Sequence, residues 1–381
     1  MGQYYPLRPE ITQQLAALPP IAIAWKQARP IATGLSRLFG KPREVPRNVT
    51  LVARYLWNVQ VKRKKLLVLV RLGGLGDLAC ILGCVRGLRE RHPDSWLVVI
   101  APVGCSELAS SSGLPDVVTD RGSFFHGLIG RLCPRASFYL PLLPDEYDPP
   151  RPQRLHLADE FARALGVSTN LSDIAFRAPA RTRRRLARRL REINPASHPV
   201  VVLHPGPTWP VREWPSQRWC ELAELISGST SAIMIKIGTD LDSMGRVRPL
   251  GSIPNAIDWM NQLDVSETAA LLELASVFVG IDSGPLHIAG ILGVPAVGLF
   301  GPISGHLRLH PRAPTTIVSS SVHCLGCHHL PTGQLHWKTG CPYDIVCMRE
   351  IAAEDVFEIL LQYIGSTVRS APIEAHTNRR Q

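Results

Sequence analysis

The sequence predicts an α/β protein in which two doubly wound parallel sheets face one another across a cleft. Three observations carry this reading. At 381 residues and 45% hydrophobic content the chain is long enough for two separate cores. Short apolar runs of strand length alternate with segments of helical period, first from Lys65 and again from Pro199. The distinctive turns, from Gly73 to Asp77, His204 to Arg212, Gly238 to Asp242 and Asp282 to Gly284, each follow the carboxyl end of such a run. Open parallel sheets bind their ligands at that end.

Residues 1–60 mix prolines, basic residues and short apolar clusters, and read as a loosely packed or amphipathic extension. The first domain is expected over 61–180. Leu66 to Val70 is a strand buried on both faces, and the turn Gly73-Gly74-Leu75-Gly76-Asp77 follows it. Leu78, Ile81, Leu82, Val85 and Leu88 then recur at helical spacing, and Trp96 to Ala101 is the next strand. Asp77 reads either as a helix cap favoured by the dipole or as a general base facing the crevice. From Gly104 to Leu165 the pattern is irregular, closing in a helix from Asp159 to Leu165. Residues 181–198 form an arginine-rich linker, broken at Asn194-Pro195.

The second domain is expected over 199–350. Its strands are Pro199 to Leu203, Ala232 to Ile237, Val277 to Ile281 and Ala296 to Phe300, with helices after Ser216 and from Glu267 to Ala275. After Val277 to Ile281 comes Asp282-Ser283-Gly284-Pro285, a glycine-containing turn at a helix start, where proline suits the first turn. Such a turn offers N–H groups to an anion, while the Asp282 carboxylate accepts hydrogen bonds from sugar hydroxyls. An anion beside a polyol describes a nucleotide sugar. Residues 351–381 supply a closing helix from Ala353 to Ile364 and a polar tail.

Arg71-Leu72-Gly73-Gly74-Leu75-Gly76-Asp77, His204-Pro205-Gly206, Arg212-Glu213-Trp214-Pro215 with Trp219, and Asp282-Ser283-Gly284-Pro285-Leu286-His287 stand in an order that resembles the heptosyltransferases, glycosyltransferase family 9. The resemblance covers about residues 65–365. It implies the GT-B fold, two Rossmann-like domains about a cleft. It also implies inverting, metal-independent transfer from a nucleotide sugar, usually ADP-heptose, to a lipopolysaccharide core or another acceptor. On the matching positions Asp77 is the general base and Arg212 contacts the diphosphate. Asp282 takes sugar hydroxyls, Ser283 and Gly284 take phosphate, and His287 stands nearby. Gly74 and Gly76 of the first turn line the substrate or donor, Thr208 donates a hydrogen bond to phosphate, and Asp240 or Asp242 holds the ribose. A UDP- or GDP-sugar donor, a protein acceptor and a catalytically degenerate binding subunit are the alternatives.

Cys324-Leu325-Gly326-Cys327, followed by Cys341 and Cys347, has the spacing of a structural metal site within a loop over 323–348. Four thiolates select zinc or iron. His323, His328, His329 and His336 lie among them, while Cys80, Cys84, Cys105, Cys133 and Cys220 read as core packing. The formal charge of +11 gathers at Lys62 to Lys65 and Arg181 to Arg191, a balance that favours acidic partners and peripheral contact with a membrane surface. No aromatics interleave with these runs, which argues against nucleic acid. The start Met-Gly-Gln-Tyr-Tyr-Pro has no charged region or apolar core of a leader, so the expected compartment is the cytoplasm.

Overall fold

The computed structural model describes residues 45–71, 73–132, 137–141, 143, 152–242, 245–329 and 340–364. The expectations for residues 1–44, His336, Cys133 and the tail beyond 364 lie outside these. In chain order the first half comprises α1 (Val45–Tyr55), β1 (Lys65–Val70), α2 (Leu75–Leu82), α3 (Val85–Arg91), β2 (Ser95–Ala101), α4 (Ser106–Ser110), β3 (Val117–Asp120), α5 (Phe124–Leu132), β4 (Ser137–Tyr139), α6 (Leu157–Leu165) and α7 (Ala180–Ile193). The second half comprises β5 (Val200–His204), α8 (Ser216–Ser229), β6 (Ile233–Lys236), β7 (Ala256–Asp258), α9 (Val265–Leu272), β8 (Val277–Ile281), α10 (Gly284–Leu292), β9 (Ala296–Leu299), β10 (Thr315–Val318), α11 (Val346–Arg349) and α12 (Ala353–Ile364).

Two parallel sheets result, one ordered β3-β2-β1-β4 and the other β10-β9-β8-β5-β6-β7. Their central strands are the near-continuous apolar runs expected of sheets covered on both faces: β2, β5 and β8 are buried along their whole length. In each sheet the order reverses beside the first strand, β1 or β5, and the crevice at such a reversal is where a doubly wound sheet takes a ligand.

Four sequence expectations change. The stretch read as irregular supplies β3 and β4, which are only three or four residues long and leave no periodic trace. The helix expected to run from Leu78 through Leu88 is two helices, because the Gly83 carbonyl accepts a 2.8 Å bond from the Asn170 N–H and the chain bends there. Packing also begins earlier than Lys65. Leu51 and Tyr55 of α1 are buried in a cluster with Trp96 and Phe125, with the Tyr55 and Trp96 rings 6.2 Å apart. Finally, the helix expected after Ser216 includes it: Ser216 is the first residue of α8, and Pro215 occupies the capping position.

The arginine-rich helix α7 is docked onto the second half of the chain. Leu186 and Leu190 are buried, Arg183 and Arg185 pair with Glu273 and Glu267 of the α9 region, and the Arg189 guanidinium lies 3.8 Å from the Trp259 ring centroid. A further seam joins the halves through the loop over 305–310. His156 Nε2 donates to the Leu309 carbonyl at 2.9 Å, Gln153 to that of Leu307 at 3.3 Å, and His310 Nε2 to that of Leu171 at 3.0 Å. Helix α12 seals the outer face of the second sheet, burying Val356, Phe357 and Leu360 in one cluster with Trp219 and Leu222.

Candidate active site

At the carboxyl end of β1 the chain turns through Gly73 and Gly74 into α2. Gly74 is the capping residue of that helix, and Asp77 lies in its first turn. Asp77 is therefore not the cap. Its Oδ2 lies 3.1 Å from Arg71 Nη2 and 3.3 Å from Arg71 Nε. Arg71 is buried, donates to the Pro141 carbonyl and lies 5.3 Å from the Phe161 ring centroid. The carboxylate folds back over the turn so closely that a Cβ on Gly73 would stand 1.9 Å from Oδ2. A side chain there would displace the Asp77 carboxylate. At Gly74, by contrast, a Cβ would meet nothing within 4 Å.

At the carboxyl end of β8, Asp282 is buried, 3.1 Å from Arg212 Nη1 and 3.4 Å from His287 Nε2. Burial works to raise its pKa. The charges of Arg212, His287 and Arg308, with the His287 hydrogen bond, outweigh burial and hold the carboxyl well below the usual range. Ser283 occupies the capping position of α10 without making a side-chain cap, and its hydroxyl lies 3.1 Å from His204 Nδ1. The first N–H groups of α10 thus receive no capping side chain, an arrangement that accepts an anion.

The loop after β5 carries Arg212 toward Asp282 and is braced from behind. Glu213 takes paired bonds from Arg248 at 2.8 and 2.7 Å and accepts from the Thr208 N–H at 2.9 Å. The Arg212 guanidinium lies 3.9 Å from the Trp209 ring centroid, and the Trp209 and His328 rings are 6.0 Å apart. Gly206 and Gly238 both adopt positive φ, and a Cβ on Gly238 would stand 2.9 Å from the Gly206 carbonyl oxygen. Asp240 is half-buried in the loop after β6 and bonds Asn261, whereas Asp242 is buried and bonds the Arg246 backbone and guanidinium. Of the two ribose candidates, only Asp240 faces solvent.

These two turns meet. A Cβ on Gly76 would stand 2.6 Å from the His287 ring, and one on Gly284 would lie 3.6 Å from Leu75 Cβ. The amino ends of α2 and α10 therefore face each other, with Asp77, Arg71, Asp282, Arg212 and His287 around the junction. Gly76, expected to line a ligand, is also a point at which the two halves touch.

The cysteine loop adjoins this cleft. The Gly326 N–H donates to the Gly301 carbonyl at 2.9 Å, and that of His328 to Pro302 at 2.9 Å. Burial first, then the neighbouring Cys327, Cys324 and Cys341, push the Cys347 thiol up to about 12. Burial, then Cys324 and Cys341, push Cys327 up to about 11. Among the described residues no group of three or more His, Cys, Asp or Glu stands close enough to hold a metal ion. His329 accepts from the Ser304 N–H at 2.9 Å. Cys80, Cys84 and Cys105 are buried as expected, and Cys220 is half-buried.

Sequence reasoning missed Glu213 as the brace of the Arg212 loop, although it stands inside the motif. It also missed Arg308, which lies in a loop with no periodicity to mark it.

The sequence profile of glycosyltransferase family 9 (heptosyltransferase) matches residues 146–336. Lipopolysaccharide heptosyltransferase 1 of Pseudomonas aeruginosa is 31% identical over 113 residues, 30% of this chain and 31% of that protein. The match thus spans under a third of that relative. The iron-containing dodecameric glycosyltransferase TibC of enterotoxigenic Escherichia coli, solved also in complex with ADP-D-β-D-heptose, superposes with a TM-score of 0.59 at 19% identity, over 79% of this chain and 76% of that one. The E. coli ADP-heptose lipopolysaccharide heptosyltransferase II gives a TM-score of 0.53 at 16% identity, over 79% and 98%. At these identities the likeness of the structures is one of fold.

Burial lowers the pKa of His204 to about 4. The unfolded chain holds that proton more tightly, so folded stability is intact above about pH 6.5, declines as pH falls below it, and stops declining near 4. At pH 5 the loss from His204 alone is about 2 kcal/mol. Urea unfolding at pH 7 and pH 5 checks this: His204→Asn is expected to lose less stability over that interval than wild type, and an equal loss would contradict it.

Proposed function

The chain belongs to glycosyltransferase family 9, the heptosyltransferases, and from that premise we propose that it transfers a heptose or related sugar, with inversion, from ADP-heptose to a hydroxyl of a lipopolysaccharide core or other glycan. The observation that carries this is the meeting of the two helix starts: the carboxylate of one half stands beside the uncapped, arginine-flanked turn of the other. The ADP-heptose complex of TibC supports the choice of donor.

In this scheme the diphosphate of the donor lies at the first turn of α10, against Ser283, Gly284 and Arg212, with Thr208 at its edge. Asp282 exchanges part of its bonding from Arg212 to the sugar hydroxyls, and Asp240 takes the ribose. Asp77 removes the proton of the acceptor hydroxyl as that oxygen attacks the anomeric carbon from the face opposite the diphosphate. The bond to the diphosphate breaks, its electron pair leaves with the nucleotide, and Arg212 and the α10 N–H groups receive the growing charge. Arg71 fixes the Asp77 carboxylate at the turn. Among the described residues no helix is long and apolar enough to cross a membrane. A glycolipid acceptor would then be met at the cytoplasmic membrane face by peripheral contact.

We propose also that Cys324, Cys327, Cys341 and Cys347 hold one structural zinc or iron ion. Four sulfur donors in one segment, of which Cys324, Cys327 and Cys341 are close enough to raise a neighbour's proton affinity, suit a soft cation that would relieve their repulsion. TibC is an iron-containing relative in fold. Bound there, the metal would fix the loop that abuts Trp209 and His328, and so Arg212 behind them.

Two measurements test these readings. Thermal unfolding across ADP, UDP and GDP and their sugars is expected to show stabilisation by ADP and ADP-heptose, because a ligand of the native state raises the melting temperature by mass action. A response confined to UDP or GDP would replace the donor, and no response to any would favour the degenerate binding subunit. Elemental analysis of purified protein is expected to find about one zinc or iron per chain, lost in Cys324→Ser/Cys327→Ser; stoichiometric absence of both metals would remove the metal site.

A further inference from the structure

Three arginines stand around the junction of the two helix starts, and two of them are matched. Arg71 pairs with Asp77 and Arg212 with Asp282. The third, Arg308, has 8% of its surface exposed, yet its guanidinium makes no ion pair and no side-chain hydrogen bond among the described residues, and its Nε is buried without a partner. Buried charges are otherwise paired or hydrogen-bonded, because their desolvation is costly.

Its surroundings say what it is kept for. Arg308 lines a cavity of about 10 Å³ with Gly76 and Cys80 of one half and His287 and Ile291 of the other, and His156 borders it. That volume admits about one water molecule. The guanidinium is close enough to Asp282 to help hold its carboxyl down. Asp282 immediately precedes the uncapped turn of α10. Two of the three arginines are matched by carboxylates, so Arg308 adds an unmatched positive charge beside the place where an anion is received.

We propose that Arg308 is the second arginine of a diphosphate subsite. It is held unpaired in the seam between the two halves and swings past Asp282 onto the phosphate oxygens when the donor binds. This rests on the nucleotide-sugar reading above and adds to it a residue outside the motifs. The cavity is too small for a phosphate to enter, so the side chain moves to the anion. The partner it takes is the charge that develops on the leaving nucleoside diphosphate. Its fork suits two phosphate oxygens where a lysine would meet one.

The test is titration calorimetry of ADP and of adenosine, which lacks the phosphates, against wild type, Arg308→Gln and Arg308→Lys, with the melting temperature of each unliganded protein. Arg308→Gln is expected to weaken ADP at least tenfold, to leave adenosine unchanged, and to melt no lower than wild type because an unmatched buried charge is gone. Arg308→Lys is expected to bind ADP with an intermediate loss. An ADP-to-adenosine affinity ratio equal to that of wild type in Arg308→Gln overturns the proposal, whatever the melting temperature. Should that variant not fold, the same equality in Arg308→Lys overturns it. If wild type prefers another nucleoside diphosphate, that nucleotide and its nucleoside replace the pair. If wild type binds none, the nucleotide-sugar reading fails and takes this one with it.

Discussion

Asp282 holds a full carboxylate charge in a position with 5% of its surface exposed, and the cleft is arranged around keeping it there. Burial alone would drive such a group to take up a proton. Arg212 on the loop after β5, His287 one helical turn along α10, and the charge of Arg308 from the seam together prevent it. Each of those groups must be delivered by a different piece of chain. Arg212 depends on Glu213 and Arg248 behind it, and His287 depends on the absence of a side chain at Gly76 across the cleft. Removing any one changes the balance of charge at the point where a donor's sugar and phosphates would meet.

The same constraint explains why the two halves lie so close. Gly76 and Gly284 lie where the helix starts touch: a Cβ on Gly76 would crowd the His287 ring at 2.6 Å, whereas one on Gly284 would make ordinary contact with Leu75 at 3.6 Å. Docking of α7 through Leu186, Leu190 and three arginines, and the bonds to the loop over 305–310, hold the halves in register. A cleft built from paired ions between two rigid sheets needs little rearrangement to stabilise a leaving anion, since its dipoles and charges are already oriented. That is the physical sense in which this fold and sugar transfer from a diphosphate suit one another.

Much of this was legible in the residues because strands buried on both faces leave unbroken apolar runs, and β1, β2, β5, β8 and β9 all do. The turns after them carry glycine, proline and aspartate in combinations that local rules recognise. What escaped was set by distance in the chain. β3 and β4 are too short for a pattern and exist because β2 and β1 offer them edges. The break at Gly83 is made by Asn170, far along the sequence. Gly74 and Gly76 look alike within their motif, and only the position of His287 shows that one is open and the other is a contact. The charge of Arg308 is informative because it is buried and unmatched, a property no sequence window contains.

The central claim is that Asp77 takes the proton from the acceptor while the second half of the chain holds the nucleotide. Sugar transfer from ADP-heptose by Asp77→Asn, followed as nucleotide release alongside the dissociation constant for ADP, tests it most directly. The account predicts turnover reduced by at least about a hundredfold, the scale of a lost general base, with ADP affinity nearly unchanged. Turnover that survives with ADP bound as in wild type would make Asp77 a structural partner of Arg71 and leave the reaction without its base.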